Sequence, residues 1–403
     1  MDDEEEEGEG SREEALKTLI EGLLQNSILE LLVDNLSRLN EAEESDRQGV
    51  FHILGIFENI LGFNAELSIQ LVEKTVILDW VLKRIQSKAH DENQGYAAEL
   101  LSILLQNNRP NRLKLIEKNG VEIILQVLSK YRRRDPSDAD ETEFMENVFD
   151  SLCSALAEVE VRKAFLDLEG VDLMVLMMKE KKQSRSRSIK VLDYAMSGQA
   201  GTVACETFVE ALGLKSLFST FMGKTKKKIS PTASEDTAHS LGIVSSLFTN
   251  LPSDSPPRIR LLAKFVENNY EKVDKLLEIR EAAQGRLNAV DREIEKERQE
   301  MQDSDDEEGG AVEEDLWYLR RLDNGLFTLQ TVDYILAWIA MEDDGILTHI
   351  RQMLERKNKS LGDITKILEV YRDNVDVDQS KQDEGAPSQK EILENLIRFL
   401  AAV

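Results

Sequence analysis

Residues 99–131, ELLSILLQNNRPNRLKLIEKNGVEIILQVLSKY, contain the pattern that decides the fold. Apolar residues recur at intervals of three and four within Leu100–Leu104, Leu113–Ile116 and Val121–Leu128, which is the spacing of amphipathic helices. Pro110 cannot lie inside a helix, and Gly120 suits the left-handed turn that follows one. The stretch therefore predicts a medium, a short and a long helix in succession.

The same three-helix unit recurs along the chain. With the first apolar residue of each third helix as the marker, the copies are marked by Ile28, Val76, Val121, Val171 and Leu214, with a sixth near Tyr270. The steps between the first five markers are 48, 45, 50 and 43 residues, and three of the third helices carry a glycine at the same phase: Gly120, Gly170 and Gly213. Periods of about 40–47 residues are typical of HEAT and armadillo arrays, in which each helical triplet exposes an apolar face that only its neighbours can cover. An irregular helical bundle, the alternative, predicts neither regular steps nor a glycine at constant phase.

We therefore predict an all-α fold, an armadillo/HEAT-like superhelical solenoid with a C-terminal helical cap. The predicted parts are an acidic disordered tail (1–14), armadillo-type repeats (15–270), a long coiled-coil-like helix (271–301), an acidic hinge (302–315) and the cap (316–403). The cap is predicted to contain four helices: Leu316–Ala340, Ile346–Leu354, Ile364–Tyr371 and Ile392–Leu400.

The long helix has a weak apolar seam from Val273 to Met301, in which Arg280 and Glu297 occupy two core positions. Such a seam favours docking on the repeats or pairing with another helix over free dimerisation. In the hinge, Ser304 precedes four acidic residues and resembles a site for an acidophilic kinase. A plain charged loop explains that stretch equally well.

Composition restricts the function. Of the 403 residues, 77 are Asp or Glu and 50 are Lys or Arg, a net charge of −27, which argues against nucleic acid or an anionic membrane as the main partner. The longest apolar run, Tyr334 to Met341, has eight residues and is too short to span a bilayer. The first ten residues, MDDEEEEGEG, are acidic, whereas secretory and mitochondrial signals are basic. The chain has two cysteines, too few for a disulfide framework. We expect a soluble intracellular protein.

The sequence shows no cluster of residues that would support catalysis. The four histidines, at positions 52, 90, 239 and 349, are isolated from one another and from the cysteines, so no zinc-site spacing occurs. Phosphate-binding glycine loops and a nucleophile elbow are absent from the sequence. Cys153 lies at helical spacing among apolar residues, which predicts a buried side chain. We expect no enzyme, no cofactor and no metal, unless ligands meet only in three dimensions.

Several long stretches resemble the beta-catenin-like protein 1 family, nuclear armadillo proteins associated with the spliceosome. They are ELLSILLQNN (99–108), NGVEIILQVLSKY (119–131), FMENVFDSLCSAL (144–156), RSIKVLDYAMSG (187–198) and LWYLRRLDNGLFTLQTVDYILAWIA (316–340). The resemblance extends in order from about Glu21 to Leu400. It implies an armadillo core with a C-terminal helical cap, in a nuclear scaffold within the Prp-nineteen-type complex that accompanies pre-mRNA splicing. It further implies binding to basic nuclear-localisation-type segments of the Myb-related cell-division-cycle-five-like subunit and, in vertebrates, to an antibody-diversifying cytidine deaminase.

The beginning of the chain departs from that family. Family members have a longer N-terminal region with a basic nuclear-targeting sequence, whereas this chain starts with MDDEEEE, either by truncation or by loss. The basic clusters Lys224–Lys228 and Lys179–Lys190 could substitute for it, although solvated loops are the favoured interpretation. The SRSRS stretch at 184–188 keeps direct RNA binding open.

Third helices line the concave side of a solenoid, so a chain of net charge −27 predicts an acidic groove that attracts basic peptides. Candidate groove residues, near the beginnings of third helices, are Asp79, Trp80, Glu122, Gln126 and Asp172. Since Trp80 is the only third-helix tryptophan, the clamp of import receptors is missing, and binding should be electrostatic and sensitive to salt. The alternative for the carboxylates is that the helix dipole favours them in a first turn. The alternative function is a nuclear-import-type adaptor for basic cargo.

Overall fold

A computed structural model describes residues 17–23, 25, 27–64, 66–223, 233–303, 310–375 and 387–403. Within these ranges every regular element is helical. The predicted acidic tail 1–14, the basic cluster Lys224–Lys228 and Ser304 lie outside them. Contacts within the chain divide it into two compact units, unit 1 (residues 1–195) and unit 2 (residues 196–403).

Unit 1 is built from helical triplets. Its helices are α1 (Ile28–Arg38), α2 (Glu44–Phe63), α3 (Leu67–Lys74), α4 (Ile77–Arg84), α5 (Glu92–Leu105), α6 (Arg109–Glu117), α7 (Gly120–Ser129), α8 (Ala139–Ala155), α9 (Val159–Asp167), α10 (Gly170–Lys179) and α11 (Ser184–Met196). First helices contact first helices (α2 with α5, α5 with α8), second helices contact second helices (α3 with α6, α6 with α9), and the third helices α4 and α7 contact each other. Contact between equivalent helices of successive triplets is the arrangement predicted for a repeat array.

Buried side chains define the register of the third helices and correct two of the predicted markers. In α7 they are Val121, Ile124, Leu125 and Leu128, and the same spacing in α4 is Leu78, Val81, Leu82 and Ile85. The residues equivalent to Val121 are thus Leu29 and Leu78, whereas the predicted marker Val76 is 52% exposed and precedes the helix. The prediction used the first apolar residue of each helix as the marker. The register is instead set by which apolar residues are buried.

The recurring glycines have a role other than the predicted left-handed turn. The left-handed residue is the one before each glycine: Asn119, Glu169 and Leu212, at φ 54°, 56° and 62°. The glycine itself begins the third helix, and a Cβ there would lie 2.2–2.4 Å from a second-helix side chain five residues earlier: Leu115, Phe165 and Phe208. The absence of a Cβ therefore permits close contact between the second and third helices.

An arginine of the second helix satisfies carbonyl groups where the first helix ends. Arg112 of α6 donates to the backbone oxygen of Leu105 at 3.4 Å, and Arg162 of α9 donates to that of Leu156 at 2.6 Å. The last carbonyls of a helix have no partner within it, so these bonds fix the sharp turn inside each triplet.

Unit 2 continues with helices and carries the cap. They are α12 (Thr202–Glu210), α13 (Gly213–Phe221), α14 (Ala233–Asn250), α15 (Pro256–Asp303), α16 (Gly310–Arg321), α17 (Phe327–Glu342), α18 (Asp344–Glu355), α19 (Leu361–Asp373) and α20 (Gln389–Ala402). The backbone of α15 is non-helical from Glu267 to Tyr270, where three residues are left-handed. The part before this break is a second helix and the part after it a third helix. Buried Val273, and not the predicted Tyr270, is its first register position.

The long helix packs against helices of the cap, whereas the sequence left docking on the repeats and pairing with another helix both open. Ala283 and Leu287 of α15 form a buried cluster with Leu326 and Leu329. The predicted single helix Leu316–Ala340 is wrong, because a π-helical turn separates α16 from α17. Gly325 has φ 123° in that turn, and a Cβ there would lie 2.6 Å from the Ala283 backbone oxygen. Residues 310–315, predicted as part of the hinge, belong to α16.

Candidate protein-binding surface

The corrected register brings three of the predicted groove residues to equivalent positions. Asp79, Glu122 and Asp172 each directly follow the buried residue at the register position of Val121, which is Leu78 in α4, Val121 in α7 and Val171 in α10. Glu30 of α1 follows Leu29 in the same way and is a fourth member. Sequence reasoning missed Glu30, and an acidic residue in the first turn of the helix was the signal that could have found it. We call Glu30, Asp79, Glu122 and Asp172 the acidic row.

Members of the acidic row differ in their partners. The Nζ of Lys118 lies 2.7 Å from the Oδ2 of Asp79, and both side chains are partly exposed. The Nε2 of Gln126, another predicted groove residue, donates to the Oε1 of Glu122 at 3.0 Å. Asp172 forms no ion pair with any residue that the structure describes. Glu30 likewise forms no ion pair with a described residue, so Glu30, Glu122 and Asp172 are the row's carboxylates that are open to an external cation.

A second row of residues follows the first, one position later in each helix. It consists of Leu31, Trp80, Ile123 and Leu173, which we call the apolar row. Leu31 is 54% exposed, and the other three are partly exposed. Sequence reasoning had selected only Trp80 from this set, as a solitary tryptophan. A large apolar side chain at the same register in successive helices was the signal that could have found the others.

The helix dipole accounts for part of this arrangement. All four members of the acidic row lie in the first turn of their helices, where a carboxylate stabilises the helix by about 0.3–1 kcal/mol at the surface. This effect explains an acid in each first turn, but it does not select an apolar neighbour. It therefore leaves the apolar row unexplained.

The same two positions change in unit 2. Lys215 and Ser216 follow Leu214 in α13, so neither row continues there. In α15 the equivalent acid is Asp274, which is occupied by the Nε2 of His349 at 2.7 Å. The paired acidic and apolar rows are thus a property of unit 1.

Only residues 180–183 of the basic stretch Lys179–Lys190 form the expected solvated loop, because α10 ends at Lys179 and α11 begins at Ser184. The Nη2 of Arg187 lies 2.7 Å from a carboxylate oxygen of Glu146 in α8, and the buried Ser184 hydroxyl donates to the Tyr131 backbone oxygen. Arg187 and Ser184 of the SRSRS stretch are thus paired within the fold.

The described residues contain no group of three or more His, Cys, Asp and Glu placed to hold a metal ion. Burial raises the pKa of both thiols, Cys153 and Cys205, to about 12, so they stay protonated at neutral pH. Cys153 is the buried side chain that was predicted. Among the helices described, none combines the length and apolar character needed to cross a membrane.

Comparison with known proteins identifies the family. Residues 1–369 match the model of a family described as catenin-beta-like, Arm-motif containing, nuclear. The chain belongs to this family. Human Beta-catenin-like protein 1 is 41% identical over 367 residues, which cover 90% of this chain and 64% of the human protein. The Schizosaccharomyces pombe homolog is 36% identical over 365 residues, which cover 90% of this chain and 62% of that one.

The chain thus spans slightly less than two thirds of these relatives. Among solved structures, an engineered protein aligns with a TM-score of 0.52 at 14% identity, covering 95% of this chain and 80% of that one. A likeness at this identity concerns the fold alone. Together with the armadillo motif in the family description, it confirms the predicted all-α armadillo fold. The description also places the family in the nucleus.

Proposed function

We propose that this protein is a non-enzymatic scaffold that binds basic, nuclear-localisation-type segments of partner proteins along the acidic row of unit 1. The family and the armadillo fold support a protein-interaction scaffold. The proposed partners are proteins of pre-mRNA splicing in the nucleus, namely the Myb-related cell-division-cycle-five-like subunit and the Prp-nineteen-type complex. In vertebrates an antibody-diversifying cytidine deaminase is a further proposed partner.

The observation that carries the proposal is a carboxylate at one register position of four third helices. A net charge of −27 attracts basic segments over long range and speeds their association. The row then offers short-range contacts to lysine or arginine side chains. Lys118 beside Asp79 is an intramolecular example of the contact that a partner's lysine would make.

Binding of a fluorescent basic peptide tests this proposal. Because the contacts are exposed, affinity should fall steeply between about 50 and 300 mM salt. The double variant Glu122→Lys with Asp172→Lys should weaken binding at low salt by more than about tenfold, since it replaces two attractions by two repulsions. The matched control is Glu73→Lys with Asp167→Lys, two exposed acids on the second helices α3 and α9. It changes net charge equally, so equal losses in both double variants would contradict the proposed surface.

Affinity purification from nuclear extract tests the proposed partners. The wild-type chain should recover the splicing proteins named above, and the Glu122→Lys, Asp172→Lys variant should recover fewer of them. Recovery of an import receptor without splicing proteins would favour the import-adaptor alternative instead.

A further inference from the structure

The apolar row has features that isolated exposed residues lack. Single apolar side chains on a surface are normal and need no explanation. Here a large apolar residue occupies the same register in four third helices of unit 1, at Leu31, Trp80, Ile123 and Leu173. Leu31 is 54% exposed and the other three are partly exposed, so each presents some apolar surface to solvent.

The acidic and apolar positions are filled together in four third helices of unit 1, and no third helix that the structure describes in unit 2 has both. In the third helix α13 a lysine and a serine replace the pair, and in α15 Lys275 follows Asp274. A repeat needs neither row for its own packing, because α13 has the same buried spacing without them. The two rows occur together in four helices and are both missing from α13. We therefore treat them as one surface.

We propose that the two rows together bind a single extended partner segment in which basic and apolar side chains alternate. This inference rests on the proposed function. It restricts the partners to segments that carry both basic and apolar side chains, because a segment with basic residues alone would contact only the acidic row. The acidic row would take the lysine or arginine side chains. The apolar row would take the intervening leucine, valine or similar side chains.

The geometry of helices and extended chains supports the match. Successive residues of a helix point about 100° apart, so the two rows lie along two sides of one track. Successive side chains of an extended segment point to opposite sides. A segment in which basic and apolar residues alternate therefore presents its basic side chains to the acidic row and its apolar side chains to the apolar row. Packed helices lie about 8–10 Å apart, a distance that an extended chain covers in two to three residues at ~3.3 Å each. Each third helix would therefore meet roughly one basic–apolar pair.

Two peptides of equal length and charge test the inference on the wild-type chain. One alternates lysine with leucine and valine, and the other alternates lysine with serine. The first should bind at least about tenfold more tightly, because each apolar side chain that leaves water contributes favourably.

Substitutions in the apolar row test where the preference arises. Ile123→Ser combined with Leu173→Ser should reduce the preference for the apolar peptide to about twofold or less, while the binding of the lysine–serine peptide stays unchanged. Leu31→Ser, at a side chain that is 54% exposed, gives a second variant with little effect on folding. Val159→Ser is the matched control, an apolar side chain of unit 1 that is 60% exposed on a second helix.

The outcomes separate this inference from the function on which it rests. Equal binding of both peptides, each weakened by Glu122→Lys with Asp172→Lys, would overturn the alternating-segment inference and leave the basic-segment function standing. Failure of both peptides to bind would overturn both. A preference that survives in the Ile123→Ser, Leu173→Ser variant would place the apolar contact elsewhere and also overturn the inference.

Discussion

Arg280 donates to both carboxylate oxygens of Asp333, from Nε at 2.6 Å and from Nη2 at 3.0 Å. The two side chains are only 3% and 0% exposed. In the register of the third helices, Arg280 occupies the position that Ile85 and Leu128 fill in unit 1. At this register position of α15, therefore, a buried ion pair with α17 takes the place of a buried apolar side chain.

We expect Arg280→Met to lower the free energy of unfolding of unit 2 by about 3–5 kcal/mol, because it leaves the Asp333 carboxylate buried without its partner. Adding Asp333→Leu should recover much of the loss, since the uncompensated charge is then removed as well. Urea unfolding followed by tryptophan fluorescence measures the effect, as Trp317 and Trp338 both lie in unit 2.

The exposed pair Lys357–Glu281 provides the control for that substitution. Its side chains are 44% and 54% exposed, so Lys357→Met should cost no more than about 1 kcal/mol. If Arg280→Met were no more destabilising than Lys357→Met, the buried Arg280–Asp333 pair would not stabilise unit 2 in the way described.

Gly170→Ala should destabilise unit 1 by about 1–3 kcal/mol, because the new Cβ would have no room. It would lie 2.3 Å from the Phe165 ring and 2.7 Å from the Phe165 backbone oxygen, which cannot rotate away. Gly62→Ala is the control, since nothing lies within 4 Å of its added Cβ. Thermal unfolding followed by circular dichroism compares the two variants, and equal melting temperatures would refute the packing role of Gly170.

Glu141 should give unit 1 a specific dependence on pH. A hydrogen bond from Arg134, helped by bonds from Ser137 and Tyr131, lowers the pKa of Glu141 from 4.5 to about 2 although burial opposes the shift. The ionised group thus contributes stability that is complete above pH 4.5 and is lost as the pH falls toward 2. The stability difference between wild type and Glu141→Gln should shrink over that interval, whereas parallel pH profiles would show that the Glu141 ion pair contributes nothing.

The helical triplets could be predicted from the sequence because apolar spacing, a proline that interrupts a helix and the recurring glycines are local signals. The break between α16 and α17 could not be predicted, because the residue types of Leu316–Ala340 favour a helix throughout. There the close approach of Gly325 to the Ala283 oxygen determines the backbone, and that neighbour is distant in sequence. Likewise, the partner of Arg280 lies 53 residues away, and only folding brings the two together.

The candidate surface could be predicted in part. First-turn carboxylates at Asp79, Glu122 and Asp172 were found from their positions, and their role in binding stays a prediction. Glu30 and three members of the apolar row were missed, because apolar letters alone do not distinguish a buried position from the half-exposed one beside it. Burial supplied that distinction at Leu78 and Leu29.

The most direct test of the acidic row uses a basic peptide that carries a photoactivatable group in place of one lysine. After irradiation of the complex at low salt, mass spectrometry locates the crosslinked residues. We expect crosslinks within the third helices α4, α7 and α10, at Ile77–Arg84, Gly120–Ser129 and Gly170–Lys179. Crosslinks confined to first helices of unit 1, or to residues 196–403, would contradict the account.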